Sequence, residues 1–558
     1  MGIRKQGAKI YDYIVIGAGT AGGVIAKKLS DDNKTSVLVL EAGTNMPNSS
    51  PFLEEADIKA NNNRLSYNML SGTESSLGRQ LRLRSGRVIG GSSQHNFMAA
   101  VRGSKQLYDE WANLVGPQWS YKAIRSLFKV NESYTGMSQR PGERGSRGPI
   151  YVRQQLIPED GIINVLAKAT SETLNIPIVE DYNTGIRDCA STNVQFTQKE
   201  VRGRFMRSST ATGYLNRKIV TQGNQAEPDE IGVGNRQLVI LAKTTVNKIR
   251  FRRKQGTYVA VAVDYVRNGV SQRAFARQGI ILSAGIFSSA ILQRSGIGKS
   301  EDLARAGIKT LVESPHVGYH VQTQYHAGMG VEVETSRLLQ VFAADPDQPY
   351  LSWAFKKQNG PGRRLQLIGL PAPVAIPIQD VLVNGWQLNP NKPTNIMSFA
   401  ITDLNPASRG TIQITHSDPE AYPSIELMPL EDPDDLEYMI DQYIETFNMV
   451  KKARELDPDG LYNVVYPPEH IFNLPDEEEK RDLLSYYVLA SYANADHYGG
   501  QCRMGRTIQE GVVDGYLNVF GTDKLKVADL SISPILPDGS TSIPAQMIGL
   551  NAVRFIRG

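Results

Sequence analysis

The sequence predicts an α/β fold in which a discontinuous, Rossmann-like nucleotide-binding domain carries an inserted α+β domain built on an antiparallel sheet. Glycine-punctuated strand–turn–helix patterns occur near the amino terminus, at residues 278–298 and again near the carboxyl terminus, and they are typical of nucleotide-binding units. Residues 325–485 instead combine prolines, alternating strands such as "TIQITH" and a long amphipathic helix. Because 558 residues are too many for one hydrophobic core, two domains are expected.

The first nucleotide signal is the apolar strand "YIVI", which ends directly in the turn "GAGTAG". Gly17 permits the tight turn, Gly19 lets the backbone approach a pyrophosphate, and Gly22 lets the next helix pack closely on the strand. A second strand ends at Glu41, whose carboxylate suits a ribose hydroxyl. The glycines alone also fit a plain strand–helix turn, but the complete unit favours a dinucleotide, with NAD and FAD both open.

Composition excludes several other classes. The chain has 61 Lys+Arg against 57 Asp+Glu, a balance too even to indicate nucleic-acid binding. Cys189 and Cys502 lie too far apart to suggest a disulfide framework, which fits a reducing compartment. No secretory apolar run opens the chain, and the apolar stretch "LQLIGLPAPVAIPI" contains three prolines and is short of a membrane span. We therefore expect a soluble, cytoplasmic protein without a metal site.

Four later segments are more specific than the first turn: "GRVIGGSSQHN" at 86–96, "SGIG" at 295–298, "HYGGQCRMG" at 497–505 and "VVDGYLNVFGTDKLKVADLSISP" at 512–534. Together with the first turn they resemble the glucose–methanol–choline (GMC) family of FAD-dependent oxidoreductases over nearly the whole chain. The resemblance implies that the cofactor is FAD. It also implies oxidation of a small alcohol at a CH–OH group, with oxygen or another acceptor reoxidising the flavin.

The expected domains follow from these patterns. The FAD-binding domain is predicted to comprise residues 8–155, 205–324 and 490–558, and the substrate-binding domain residues 156–204 and 325–489. Within the FAD-binding range, the polar segment at 220–237 is predicted to be a surface loop.

The resemblance also implies which residues line FAD. They are Gly17, Gly19, Thr20, Ala21, Gly22, Glu41, Ala42, Arg87, Gly90, Gly91, Ser92, His95, Asn96, Val246 and Asp529. The loop from Gly90 would pass under the diphosphate and flavin, Asp529 would lie near the ribityl–pyrophosphate region, and Val246 near the adenine. An ordinary core position is the alternative for Val246. In some relatives a histidine at the position of His95 is bonded covalently to the flavin, and in others FAD is bound without that bond.

His497 matches the family histidine that lies opposite the flavin N5 and accepts the alcohol proton as hydride moves to N5. An imidazole suits this role because its ordinary pKa is close to working pH. Relatives place a second histidine or asparagine just before the last helix, where this chain has Ser540. Serine is shorter and lacks the amide's pair of groups, so Ser540 is the predicted but weaker catalytic partner.

The sequence departs from the family pattern at other positions too, so alternative functions stay open. Gln501 replaces the usual threonine, and "HVGYHVQTQ" at 316–324 replaces the family's "GVGxNLQDH". One alternative is a GMC-fold protein with weak or no turnover and a structural role, because "YDYIVIGAGTAGGVIAKKL" is similar to GMC-type proteins of giant amoebal viruses; its location would then be the virion. Another is an NAD-dependent dehydrogenase. A homo-oligomer is compatible with the sequence, and the substrate is not identified by it.

Overall fold

Two large sheets organise the computed structural model of the protein. It describes residues 10–45, 65–158, 161–224, 226–345, 353–357, 363–370, 373, 375–384 and 395–558. The strands are β1 (Ile10–Ile16), β2 (Val37–Leu40), β3 (Ser66–Glu74), β4 (Arg79–Gly86), β5 (Glu132–Thr135), β6 (Ile150–Gln154), β7 (Cys189–Ser191), β8 (Gln195–Phe196), β9 (Gln198–Val201), β10 (Arg204–Arg207), β11 (Glu230–Ile231), β12 (Leu238–Leu241), β13 (Thr244–Lys254), β14 (Thr257–Arg267), β15 (Val270–Leu282), β16 (Ile297–Gly298), β17 (Val312–Glu313), β18 (Tyr325–Glu332), β19 (Trp353–Lys357), β20 (Arg364–Leu370), β21 (Ile396–Asp403), β22 (Thr411–Gln413), β23 (Ser424–Glu426), β24 (Asn463–Tyr466), β25 (Ala493–Asn494), β26 (Thr522–Asp523) and β27 (Leu525–Val527).

Helices cover both sheets. They are α1 (Gly22–Leu29), α2 (Lys105–Val115), α3 (Tyr121–Asn131), α4 (Ile162–Leu174), α5 (Thr210–Gly213), α6 (Ser288–Arg294), α7 (Ser300–Arg305), α8 (Thr335–Ala344), α9 (Ile378–Val383), α10 (Pro433–Leu456), α11 (Glu469–Phe472), α12 (Glu477–Ser491) and α13 (Ser542–Arg557). In the described part of the chain, no helix combines the length and apolar character needed to cross a bilayer.

The first sheet has the order β11-β12-β2-β1-β15-β14-β13, with β26 beside β14 and β27 beside β15. Its centre is parallel, since β2 pairs with β12 and β1, and β1 pairs with β15. Strands such as β2 are continuous apolar runs that are buried throughout, as strands covered on both faces require. The carboxyl ends of β1, β2 and β15 therefore meet at one edge, which is where ligands bind in such sheets.

The second sheet has the order β24-β18-β21-β20-β19-β7, with β25 beside β18, and its pairs are antiparallel. Alternate residues, among them Tyr325, Leu367 and Phe399, enter a second hydrophobic core together with side chains of α10. Asp432 caps α10 by accepting a hydrogen bond from the Asp434 amide at 3.0 Å, which is a standard start signal for a helix. The predicted α/β class with an antiparallel second sheet is confirmed.

Some local expectations differ from the structure. The segment 220–237 is not only a surface loop, because Glu230–Ile231 forms β11 and pairs with β12 at the sheet edge. The β3–β4 hairpin contributes Met69 and Leu83 to the second core, although it falls within the range predicted for the cofactor domain, and the β9–β10 hairpin spans the boundary predicted at residue 205. The domain boundaries stay predictions. The amino-terminal stretch 1–9 and parts of the apolar stretch at 365–378 lie outside the described residues.

Candidate active site

The turn after β1 contains glycines with different roles. Gly17 has a φ of +96°, and a Cβ at Gly17 or Gly22 would overlap a backbone carbonyl oxygen of the protein itself. A Cβ at Gly19 would have Cα of Gly91, at 3.9 Å, as its nearest neighbour. Protein packing therefore requires the first and third glycines, whereas the space beside Gly19 is open. An open cradle at the amino end of α1 is the geometry that a pyrophosphate needs.

A second glycine turn lies against the first. The Gly90 amide donates to the Ala18 carbonyl at 2.8 Å, and a Cβ at Gly91 would come within 2.7 Å of Cα of Gly19. The two glycines have φ values of +97° and +56°, a region that favours glycine. Ser92 follows in a short 3₁₀ helix and its hydroxyl accepts from the Gly86 amide at 3.0 Å. The structure thus brings together two predicted turns that are far apart in sequence.

Glu41 holds the first turn in place. Its carboxylate accepts hydrogen bonds from the amides of Ala18, at 2.8 Å, and Gly43, at 2.7 Å. Burial raises the pKa of Glu41 to about 6, against the lowering effect of these two bonds and of Arg87. The carboxylate retains further lone pairs that suit a ribose hydroxyl. Sequence reasoning found Glu41 but missed its bonds to the turn.

Other predicted cofactor residues lie along the same region. Thr20 and Ala21 complete the turn, where the Thr20 carbonyl accepts from the Thr210 hydroxyl at 3.0 Å. Ala42 follows β2, and the guanidinium of Arg87 lies 5.1 Å from the ring centre of Tyr67.

His95 and Asn96 continue the second glycine loop. His95 is buried, and Oδ1 of the Asn96 side chain accepts from Arg207 Nη1 at 2.6 Å. Whether FAD is attached covalently through His95 stays a prediction.

Asp529 joins the carboxyl-terminal segment to the turn after β15. Its carboxylate accepts from the Gly285 amide at 2.9 Å, the Ser288 hydroxyl at 2.6 Å and the Ser531 amide at 2.9 Å. Burial raises the pKa of Asp529 despite these bonds. The adjacent Ala528 carbonyl accepts from the Ser283 hydroxyl at 2.6 Å. Asp529 therefore lies at the edge of the sheet that carries the first glycine turn, and its contact with the cofactor stays a prediction.

Val246 lies on β13, away from these turns in sequence, and is buried in the first core. Its carbonyl lies 3.4 Å from Nη2 of Arg294, whose Nε donates to the Asn247 carbonyl at 2.9 Å. Burial lowers the pKa of Arg294 to about 10. These contacts suit an ordinary core position, and a contact with adenine stays a prediction.

His497 is held by a glutamine that sequence reasoning did not single out. Nδ1 of His497 lies 2.6 Å from Oε1 of Gln324. Nε2 of Gln324 donates to the carbonyls of Pro537, at 2.7 Å, and Gly539, at 3.2 Å, so the amide has only one suitable orientation. An amide oxygen only accepts, so Nδ1 of His497 carries the proton and Nε2 carries the lone pair.

Burial sets the charge of His497. Desolvation lowers its pKa to about 4, so the imidazole is neutral at pH 7 and Nε2 is available as a proton acceptor. The backbone on either side is fixed, since Arg84 pairs with Asp496 at 2.7 Å and the Gly499 amide donates to the Gln322 carbonyl at 3.0 Å. The histidine is thus positioned and kept in the form that a general base requires.

Ser540 follows directly on the turn that Gln324 binds. The same amide therefore connects His497 to the Pro537–Gly539 turn, whose next residue is Ser540. Gln501, which replaces the family's threonine, donates from Nε2 to the Gly285 carbonyl at 3.1 Å. It ties the histidine segment to the turn that Asp529 also binds. The signal for Gln324 was visible only as a departure from the family pattern.

The fold and site define a dinucleotide-binding α/β protein with a partly buried, neutral histidine held to the turn before the last helix. The chain belongs to the GMC oxidoreductase family: the amino-terminal family model matches residues 11–326 and the carboxyl-terminal model matches 406–549. The resemblance read from the sequence is therefore confirmed.

Known relatives extend over the whole chain. An uncharacterized GMC-type oxidoreductase of Mycobacterium tuberculosis is 29% identical, with 98% of this chain and 99% of the relative covered. An oxygen-dependent choline dehydrogenase of Chromohalobacter salexigens is 27% identical, with 99% and 95% covered. Both names are those of oxidoreductases.

Solved structures share the fold. Pyridoxine 4-oxidase from Mesorbium loti has a TM-score of 0.78 at 22% identity, with 98% of each chain covered. A formate oxidase of Aspergillus oryzae, in which FAD modification was studied, has a TM-score of 0.81 at 20% identity, with 99% and 98% covered. At these identities the likeness concerns the fold alone.

Proposed function

We propose that the protein is an FAD-dependent oxidoreductase that oxidises a CH–OH group, with His497 as the base that accepts the hydroxyl proton. The observation that carries this proposal is the hydrogen bond from His497 Nδ1 to Gln324, because it leaves a neutral imidazole with its Nε2 lone pair free to accept a proton. Family membership supports the reaction class.

The cofactor is FAD, and the residues at the sheet edge fit it. The open cradle beside Gly19, the facing turn at Gly91 and the amino end of α1 suit the diphosphate. Glu41 suits the adenosine ribose. When bound, FAD supplies the acceptor for the hydride that leaves the substrate carbon. In this proposal the first sheet holds the cofactor, and the second sheet forms one wall of the substrate-binding space.

The chain's own contribution is to orient the alcohol and take its proton. Nε2 of His497 accepts the hydroxyl proton, and the imidazolium that results keeps its Nδ1–H bonded to Gln324. Burial makes this cation costly, so the proton is held only while the substrate oxygen remains nearby. Ser540, on the turn that Gln324 binds, is proposed as a further polar group beside the substrate.

The experiment is anaerobic reduction of the bound flavin by a panel of alcohols, followed by stopped-flow absorption. The names of the relatives suggest choline, pyridoxine and a pyranose as panel members. With a responsive alcohol, His497→Ala should lower the reduction rate constant by about 100-fold or more, the range for a general base. His470→Ala, at an exposed histidine of α11, is the matched control and should leave the rate unchanged.

The proposal fails if His497→Ala reduces its flavin as fast as the unmodified protein. It also fails if the flavin of the unmodified protein stays oxidised with every alcohol of the panel.

A further inference from the structure

One face of the second sheet is directed towards His497. On β18, Tyr325, Ala327 and Met329 enter the second core. Because side chains alternate along a strand, Gln324 and His326 belong to the opposite face. Gln324 bonds to His497 at 2.6 Å, so this face is the one that meets the candidate base.

His326 lies next to the segment that carries His497. It pairs with Ala493 in the β18–β25 ladder, four positions before the base, while Tyr325 pairs with Asn494. Burial lowers the pKa of His326 to about 4, against an opposing effect of Asp496 and with smaller contributions from Arg84 and His497. The two imidazoles are therefore close enough to influence one another. At pH 7 His326 is neutral and presents one donor and one acceptor nitrogen.

Polar side chains continue from His326 across the sheet. Thr402 is its direct partner on β21, and Gln366 is the partner of Thr402 on β20. Gln366 is 2% exposed, and its Nε2 has no hydrogen-bond partner among the residues that the structure describes. This face of the sheet is therefore polar, whereas the opposite face, with Tyr325, Leu367 and Ile401, is apolar.

We propose that His326, rather than Ser540, is the principal hydrogen-bonding partner of the substrate oxygen opposite His497. The inference rests on the proposed function. The family's second group comes from the turn before the last helix, where this chain has only a short serine hydroxyl. An imidazole on β18 reaches farther than serine and approaches from the sheet side. His326 would thus be a catalytic residue that donates to the oxygen while His497 accepts its proton.

Variants of the full-length, FAD-loaded protein test the assignment by flavin reduction with a responsive alcohol. His326→Ala should lower the rate constant by about 100-fold, the usual effect of losing one preorganised donor. His326→Asn, which keeps a donor, should recover at least about a tenth of the lost rate. Ser540→Ala should lower the rate constant much less than His326→Ala does, because the serine hydroxyl reaches less far. The reverse order, with Ser540→Ala slow and His326→Ala near normal, overturns the proposal.

A binding measurement separates this inference from the proposed function, because it needs no turnover. Acetate is titrated into the oxidised protein and followed by the change in flavin absorption. A neutral imidazole donates to a carboxylate, so His326→Ala should weaken acetate binding about 10-fold or more, and Ser540→Ala should weaken it less. Equal affinity in His326→Ala, or no response in the unmodified protein, counts against His326. If no alcohol reduces the flavin but acetate binding depends on His326, the proposed oxidation is refuted and the inference about His326 stands.

Discussion

The cofactor turns and the catalytic unit are built in different ways. At the turns, Gly17, Gly22 and Gly91 bring backbone against backbone, and the Glu41 carboxylate holds the first turn through backbone amides. At the catalytic unit, His497 depends on the side chain of Gln324, which in turn depends on carbonyls of a third segment. The first arrangement depends mainly on glycines and backbone contacts, whereas the second depends on the chemistry of each side chain.

This difference between the turns and the catalytic unit coincides with the positions at which the chain departs from the family pattern. The glycine turns keep the family pattern, while the catalytic unit has Gln324, Gln501 and Ser540 at positions where relatives have other residues. Two of these residues connect the site to other segments: Gln324 bonds to His497, and Gln501 bonds to the Gly285 carbonyl. The altered unit is therefore well connected rather than eroded, which favours activity over a purely structural role.

The largest expected effect is on folding, from a substitution of Gly22. Gly22→Ala would place a Cβ on the Gly17 carbonyl oxygen, and the strand–helix contact cannot open without moving β1 or α1. We expect no folded protein, or a melting temperature many degrees lower, because overpacking against backbone is among the strongly destabilising changes. Circular dichroism and size-exclusion chromatography give the result. Gly142→Ala, at a glycine with neither crowding nor a left-handed φ, should fold normally.

A substitution at Gly19 should abolish cofactor binding and leave folding intact. Gly19→Val fills a space that the protein leaves open, so the variant should fold with a normal circular dichroism spectrum and lose nearly all of its FAD. The FAD-to-protein ratio after purification is the measurement, and Gly142→Val is the matched control. A folded Gly19→Val protein with stoichiometric FAD would show that the diphosphate lies elsewhere.

These glycine turns were also the part of the structure that could be predicted best from the sequence. The spacing of Gly17, Gly19 and Gly22 is local, so the nucleotide unit and the parallel strands around it could be predicted, and the prediction of FAD is confirmed by family membership. Gln324 and His497 are 173 positions apart, and no local pattern shows that they touch. The edge strand β11 was missed because two residues carry no periodicity. The roles of His497 and Ser540 stay predictions.

A smaller effect, on the rate of flavin reduction, is expected from substitutions of Gln324, and these variants test how the catalytic unit is held. Gln324→Leu removes the acceptor for Nδ1–H and leaves the imidazole free to change tautomer, so flavin reduction should slow by about 10- to 100-fold. Gln324→Glu should instead raise the pKa of His497, because a carboxylate beside it stabilises the imidazolium. Stopped-flow reduction of both variants distinguishes the effects. Normal rates and an unchanged pH profile in both would mean that Gln324 only braces the turn at Gly539.

The smallest expected effect is on the pH dependence of the unmodified protein. The pKa of His497 is lowered to about 4 by burial, so the base form predominates above that pH and is lost only below it. Between pH 8 and pH 4.5 the reduction rate constant should therefore fall by no more than about a third, whereas an unperturbed histidine with a pKa near 6.5 would cause a fall of about 100-fold. Brief pH jumps from neutral solution keep the protein folded during the measurement. In Gln324→Glu the fall should begin at a higher pH, and a steep fall near pH 6.5 in the unmodified protein would show that His497 is solvated.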